Sequence, residues 1–363
     1  MACHAAQGHG PQPPHPHPAD GRLQGRRGRR GPPPERRLRV SQRLRDARRL
    51  VDKQDDRDPD LEELKELASR LHGKGIDFVV EAGTVVIGGR QPAIGAPEHV
   101  IVHEQERLRI GVVSDTHGGS KFEQLSALRD FYRQADDAEV DFFVHAGDAT
   151  QGSDRMHRDQ YLGLHAHGAD AQAGYVAATY PTSGRGVPTY MIGGNHDATF
   201  LNDGGVNVVR RIAAERPDIV YLGDDAAYLR VAGLLAYIAH PAGGGAYAKS
   251  YKLQKFSAAL PPDPPISLLL LGHYHSYAKS LERPDMVALQ LPCFQTQYAW
   301  LARKGLYPDI AGLILNVWLD DRGRLARFRE EIIRYQPRDD DWDREVSAAM
   351  SHRWNDRGNL DPS

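Results

Sequence analysis

Cysteine is almost missing from this chain. Cys3 and Cys293 are the only two among 363 residues, which excludes a disulfide-stapled scaffold and a cysteine-rich zinc site and fits a reducing compartment. Long apolar runs are missing too. The longest, ISLLLLG at 266–272, has strand length and falls far short of the ~18 residues of a membrane span. The opening text MACHAAQGHGPQPPHPHPAD lacks an apolar stretch of the secretory kind, so cytoplasm is the expected location and no membrane partner is expected. Large apolar side chains are scarce in residues 1–40, which are rich in Gly, Pro, His and Arg. Such a segment cannot bury enough surface to offset the entropy of ordering and is expected to be a disordered arm.

Charge balance is present overall and absent locally. Twelve arginines between Arg22 and Arg49 face only Glu35 and Asp46, so that stretch carries +10; with a total of −2, the remainder carries −12. A basic arm on an acidic body points to a polyanion, nucleic acid or anionic lipid, contacted through the N-terminal region. The plain alternative is a solvated tail. Arg/Gly/Pro text of this kind is also what GC-rich DNA upstream of a start codon yields in frame, and mass spectrometry of the native N-terminus separates the two.

Residues 41–105 read as a small domain. DPDLEELKELASRLHGKG opens with a helix-start signal, closes on Gly, and sets Leu61, Leu64, Leu67 and Leu71 at helical spacing. IDFVVEAGTVVIGGR then offers two β-branched runs around Ala-Gly, a hairpin signal. Helix then hairpin fits the end of a winged-helix-like module. Asp60, Glu62, Glu63 and Glu66 on the helix argue against its contacting DNA.

From 106 to 336, apolar runs alternate with helical patterns. LRIGVV, VDFFVHA, PTYMIGG, LLAYIAH and ISLLLLG read as buried strands, with KFEQLSALRDFYRQADDA and VNVVRRIAAERPD as helices between them. Strand–helix alternation argues an α/β domain. MVALQLP, GLILNVWL and LARFREEIIRY have no long helices between them and predict a second, more antiparallel sheet. The segment bearing His165 and His167 is expected to be helical, where residues two apart diverge. The tail 337–363 is charged and is expected to dock loosely.

Five apolar runs stop at metal-capable side chains: GVVSDTHGG at Asp115 and His117, FFVHAGDATQG at Asp148, MIGGNHD at Asn195, His196 and Asp197, AYIAHPAGGG at His240, and LLLGHYHSY at His273 and His275. Open α/β sheets bind ligands at such strand ends. In an extended segment residues two apart point the same way, so D-x-H and H-x-H can each face one site. A lone histidine after a strand is more often packed than ligating, and His145 is expected to be of that kind; the joint pattern predicts a metal site. Gly244 could let backbone approach a phosphate, with Tyr247 and Lys249 beside it as substrate-binding residues; the plain reading is a flexible loop and a solvated helix face.

The ordered elements D-x-H, G-D, G-N-H-D, H and G-H-x-H resemble the signature of the calcineurin-like metallophosphoesterases, over about residues 108–335. The resemblance implies a four-layer α/β/β/α sandwich and two divalent ions (Mn, Fe, Zn or similar). One ion would be held by Asp115, His117, Asp148 and His275, the other by Asp148, Asn195, His240 and His273, with Asp148 bridging. His196 is then expected to protonate the leaving oxygen or stabilise the transition state, and Asp197 to orient that imidazole and keep it cationic. Protein phosphatases of this superfamily end the third element in Glu, where this chain has Asp197. Purple acid phosphatases place Tyr, and double-strand-break nucleases His, near the position of Gln151. HPAGGGAYAKSYKLQKF (240–256) is similar to a block in phage and archaeal phosphoesterases. The expected function is hydrolysis of a phosphodiester, in nucleic acid or a nucleotide. The alternatives are a phosphomonoesterase or cyclic-nucleotide phosphodiesterase, and a non-catalytic scaffold of the same fold.

Overall fold

The computed structural model describes residues 78–81 and 84–87 as backbone strands, then residues 96–350 with side chains, apart from 102, 104–106, 155, 157–159 and 322, and a helical backbone to 357. The arm, the helix expected at 58–75 and His157 lie outside the described residues. The unit from Asp56 onward is described by itself.

The hairpin is present as β1 (Phe78–Glu81) and β2 (Thr84–Ile87), paired antiparallel. It does not stand apart. β2 pairs with β3 (Glu98–Ile101), so these strands continue a sheet of the larger unit across the boundary expected near 105. The next strands are β4 (Arg107–Val113), β5 (Phe142–Ala146), β6 (Thr189–Ile192) and β7 (Ile219–Gly223), each parallel to the next. Between them lie α1 (Leu125–Asp137), α2 (Ala169–Thr179), α3 (Asp197–Gly204) and α4 (Val208–Glu215). Then come β8 (Ala226–Val231), β9 (Leu234–Ala239), α5 (Tyr251–Ala259), β10 (Leu268–Leu271), β11 (Ala278–Ser280), β12 (Val287–Gln290), α6 (Ala299–Arg303), β13 (Ala311–Leu319), β14 (Leu325–Arg334) and α7 (Arg344–Arg357).

Two sheets result, with orders β14-β13-β4-β5-β6-β7 and β1-β2-β3-β8-β9-β10-β12-β11. Strand alternation assigns each side chain to a layer. Leu108, Ile110, Val112, Val144 and Leu315 of the first sheet meet Leu229, Ala236, Ile238, Leu270 and Leu289 of the second in one core. The opposite face of the first sheet, with Val113, Phe143 and Ile314, packs under α1, α2 and α4. The opposite face of the second, with Tyr237, Leu269 and Leu271, packs under α5 through Leu253 and Phe256. The order is helices, sheet, sheet, helix: the four-layer sandwich. On α1, Leu125, Leu128, Phe131, Tyr132 and Ala135 form the buried stripe. Tyr132 lies flat on Phe143 with centroids 4.0 Å apart, a contact worth about 1 kcal/mol beyond its area.

Three expectations need correction. The runs after 286 do not make their own sheet. β12 lies parallel to β10, whereas β13 returns to pair antiparallel with β4, and β14 follows it at the edge. An apolar run buried on both faces carries no periodic mark of its neighbour. His165 and His167 sit on a bend before α2, not on a helix. Residues 338–350 of the tail are also held in place. Asp341 accepts from Ser126 N and Oγ, Gln124 and Arg338 exchange two hydrogen bonds, and Trp342 stacks on His165 at 4.2 Å. Ser347 Oγ donates to the His165 carbonyl, and α7 packs on α2 with Met350 against Gly174. Net charge made this segment look solvated, but its few aromatic and small side chains decide the docking.

Candidate metal centre

The five ligand-bearing segments leave the carboxyl ends of β4, β5, β6, β9 and β10 and meet at one rim. Asp115 N–H donates to the Gly147 carbonyl at 2.9 Å and His117 N–H to the Asp148 carbonyl at 3.0 Å. His196 N–H donates to Asp148 Oδ1 at 2.8 Å, and His273 N–H reaches both carboxylate oxygens of Asp115. Asp115, His117, Asp148, His273 and His275 all hold positive φ, between 51° and 82°. The D-x-H and H-x-H pairs therefore converge by left-handed turns, not by the pleat of an extended strand. Each such residue costs about 1–3 kcal/mol, which the cross-loop hydrogen bonds and packing must offset. Gly194 permits this closeness: a Cβ there would run into the Asp148 carboxylate and backbone.

The side chains form three groups whose donor atoms lie within 4.8 Å of one another: Asp115, His117 and His275; Asp148, His240 and His273; and His117, Asp148 and His196. His275 Nε2 is 3.2 Å from Asp115, and His117 Nε2 is 3.0 Å from His275 Nε2. His240 Nε2 is 3.0 Å from Asp148 Oδ2 and 3.1 Å from Asn195 Oδ1. All seven expected ligands are thus at one place. The third group also brings His196 into ligand range, with Nε2 4.0 Å from Asp148 Oδ2.

Two fully buried carboxylates demand positive charge, because an uncompensated buried ion costs several kcal/mol. Burial by itself would raise the Asp115 carboxyl, but His275 and His240 hold it below its ordinary value. Burial likewise opposes ionisation of Asp148, and His240 and His196 reverse it. Burial pulls His240 down, yet Asp148 and Asp115 push it up to about 9. Burial and the neighbouring His196 and His275 lower His117. Divalent ions fit this donor set. Its atoms are imidazole nitrogens, carboxylate oxygens and an amide oxygen, the ligands of Mn, Fe or Zn and not of a thiolate site. The other ring nitrogens agree: His240 Nδ1 lies 2.8 Å from the Ala146 carbonyl, and His273 Nε2 lies 2.6 Å from the Gly243 carbonyl. Those bonds leave His240 Nε2 and His273 Nδ1 as lone-pair donors, and a backbone carbonyl on the far nitrogen is how metal-binding histidines are held in orientation.

Asp197 departs from the expectation. Its carboxylate accepts from Ala149 N, Thr150 N, Thr150 Oγ1 and Gly194 N. Burial, then repulsion by Asp148, raises its pKa to about 7. It binds the G-D loop to the G-N-H-D loop, and the His196 ring instead sets Nδ1 2.7 Å from the Gln151 carbonyl. A carboxylate entering a helix start beside free backbone donors is drawn to them first. His145 is a packed histidine as expected: Nδ1 accepts from Gly147 N–H, Nε2 meets Thr116 Oγ1 at 3.0 Å, and burial lowers its pKa to about 4.

The expected substrate residues stand at the mouth. Gly244 is open, Tyr247 is fully exposed, and Lys249 pairs with Asp309 at 3.3 Å. Sequence reasoning missed Gln151, Gln295 and Tyr298 as site residues. Gln295 Nε2 donates to buried Gln151 Oε1 at 2.5 Å. The Tyr298 phenol, bonded to Gln151, is raised to about 12 by burial and by Asp148. Gln151 carries a backbone role, which no side-chain pattern displays; the FQTQYAW run was the one visible signal.

The sequence model of the calcineurin-like phosphoesterases matches residues 108–303. Among curated proteins none matches. Similar solved structures include a candidate 5′-nucleotidase from Staphylococcus aureus bound to alpha-ketoglutarate (13% identity, 68% of this chain and 58% of that one, TM-score 0.38). A 5′-nucleotidase precursor from Thermus thermophilus also matches (13%, 70% and 60%, TM-score 0.36). So does YfcE, a phosphoesterase from E. coli (12%, 61% and 98%, TM-score 0.32). The chain spans about three-fifths of the length of the first two.

Proposed function

Because the chain belongs to the calcineurin-like phosphoesterase family, matched over 108–303 and so over more than half of its 363 residues, we propose that it is a dinuclear metal-dependent hydrolase of a phosphodiester, in nucleic acid or a nucleotide. Asp115, His117, Asp148 and His275 would hold one divalent ion, and Asp148, Asn195, His240 and His273 the second. When bound, such a pair supplies Lewis-acid charge to the phosphoryl group and lowers the pKa of water there. The chain's own residues do the rest. His196, fixed through Nδ1 by the Gln151 carbonyl, turns Nε2 toward the ligand groups and can pass a proton to the leaving oxygen. Asp197 keeps the G-D and G-N-H-D loops in register. Gly244, Tyr247 and Lys249 would meet the substrate at the mouth. Residues 106–336 would form the catalytic domain, with the hairpin at 78–87 adding edge strands.

The observation that carries this reading is the place of Asp148, in ligand range of His240 and His273 on one side and of His117 on the other. The test is turnover of bis-p-nitrophenyl phosphate against p-nitrophenyl phosphate across a panel of Mn, Fe, Zn, Co and Mg. Faster diester turnover that needs added metal is expected. A faster monoester, or turnover insensitive to chelation, would sink the diesterase reading.

A further inference from the structure

The ligand cluster does not account for two exposed segments beside it. YAKSYKLQK (247–255) and YAWLARKGLY (298–307) hold five aromatic residues, Tyr247, Tyr251, Tyr298, Trp300 and Tyr307, and five cations, Lys249, Lys252, Lys255, Arg303 and Lys304. Neither segment contains an acidic residue. They are neighbours in space. A Cβ added at Gly245 would touch Leu306, and Lys249 reaches Asp309. Both are also tied to the H-x-H loop: Gly243 carbonyl to His273, and Asp309 N–H to the His275 carbonyl at 2.7 Å.

The rings differ in depth. Tyr298, bonded to Gln151, stacks on Phe122 at 5.4 Å and lies near-parallel to Trp300 at 6.3 Å. Lys304 Nζ sits 5.9 Å over the Trp300 ring. The other three rings are open to solvent, Tyr307 67%, Tyr251 50% and Tyr247 fully exposed. Large aromatic side chains left in water beside a run of cations are costly to a protein that needs only solubility. They suit a ligand with alternating flat faces and negative charges. Duplex DNA hides its base faces in the stack; an unpaired strand offers them.

We propose that these two segments form a binding strip for single-stranded nucleic acid, which feeds a phosphodiester of that strand to the metal centre. This rests on the diesterase reading and narrows its substrate to unpaired polynucleotide. The aromatic rings stack on successive bases without sequence preference, while the lysines follow the backbone phosphates.

The test uses the full chain and fluorescein-labelled 12-nucleotide single strands and duplexes of the same sequence. Anisotropy in EDTA reads binding, and the metal-loaded protein is assayed separately on bis-p-nitrophenyl phosphate. The Tyr251→Ala/Tyr307→Ala pair should weaken single-strand binding at least about tenfold and duplex binding less than about twofold, whereas the Tyr→Phe pair should bind as the parent does. Lys252→Gln and Lys304→Gln should each lower the slope of log affinity against log salt by about one. Equal losses for single strand and duplex, or no loss in the alanine pair, would overturn the proposal. Intact, ring-dependent single-strand binding without chromogenic turnover would sustain the strip and sink the diesterase reading alone.

Discussion

The two sheets make unequal contributions to the metal centre. The first sheet ends in Asp115, His117, Asp148 and Asn195, so it supplies both carboxylates and the amide. The second ends in His240, His273 and His275 and supplies imidazoles only. The carboxylate half is sunk: Asp115, His117 and Asp148 are all at most 1% exposed. In the imidazole half, His273 and His275 are half-buried and carry the mouth loops. Neither half is a site alone. The carboxylates lie on one layer of the sandwich and three of the imidazoles on the other, so ions bound there would join the layers.

The sharpest way to break this division is at its shared member. Asp148→Asn should strip metal from both groups and lower diester turnover by on the order of a thousandfold, with metal content by mass spectrometry falling in parallel. His196→Asn sharpens the contrast between holding metal and moving protons: metal content stays, and turnover falls about a hundredfold or more. Full turnover in that variant would end the proton-donor role. Chelation tests the joint between layers. At a free-metal concentration of about 100 to 1,000 times Kd, binding to the folded state alone adds about 3–4 kcal/mol, so EDTA should lower Tm by several degrees in a calorimetric scan. Trp342→Ala lies far from the division and should cost about 1–2 kcal/mol through lost stacking and burial, read by denaturant midpoint with metal content unchanged. Smallest of all, Lys249→Gln removes an ion pair whose lysine is 59% exposed, and stability should move by less than about 1 kcal/mol.

Much of this centre was legible in the chain because strand ends are. GVV, FFVHA, YMI, LLAYIA and LLLL stop where backbone pairing stops, and the first polar side chains beyond each must converge. What the text hid was local geometry. The left-handed turns at Asp115 and His275 are uncommon in any non-glycine residue, Asp and His included, so the residue types alone do not announce them. Asp197 looked like a partner for His196 because it is adjacent, yet three backbone N–H groups from two loops claim its oxygens. Gln151 acts through its carbonyl oxygen, which every residue has. The tail's charges concealed Trp342, Ser347 and Met350, whose docking depends on His165 and Gly174 far away in sequence. In each case the deciding partner is remote and the local signal is either neutral or misleading.

The return of β13 to β4 has a consequence for how the molecule comes into being. Val112 pairs with Leu313, and Phe294 N–H closes onto the carbonyl of Asp115. The first ligand loop is therefore finished by chain made some 180 to 200 residues later. All five motif elements are synthesised before β4 has its second neighbour, and closing loops of that length is slow. Until then one edge of β4 lies open to other chains. Newly made protein should acquire its metals last, as a final step of folding and not as its nucleus.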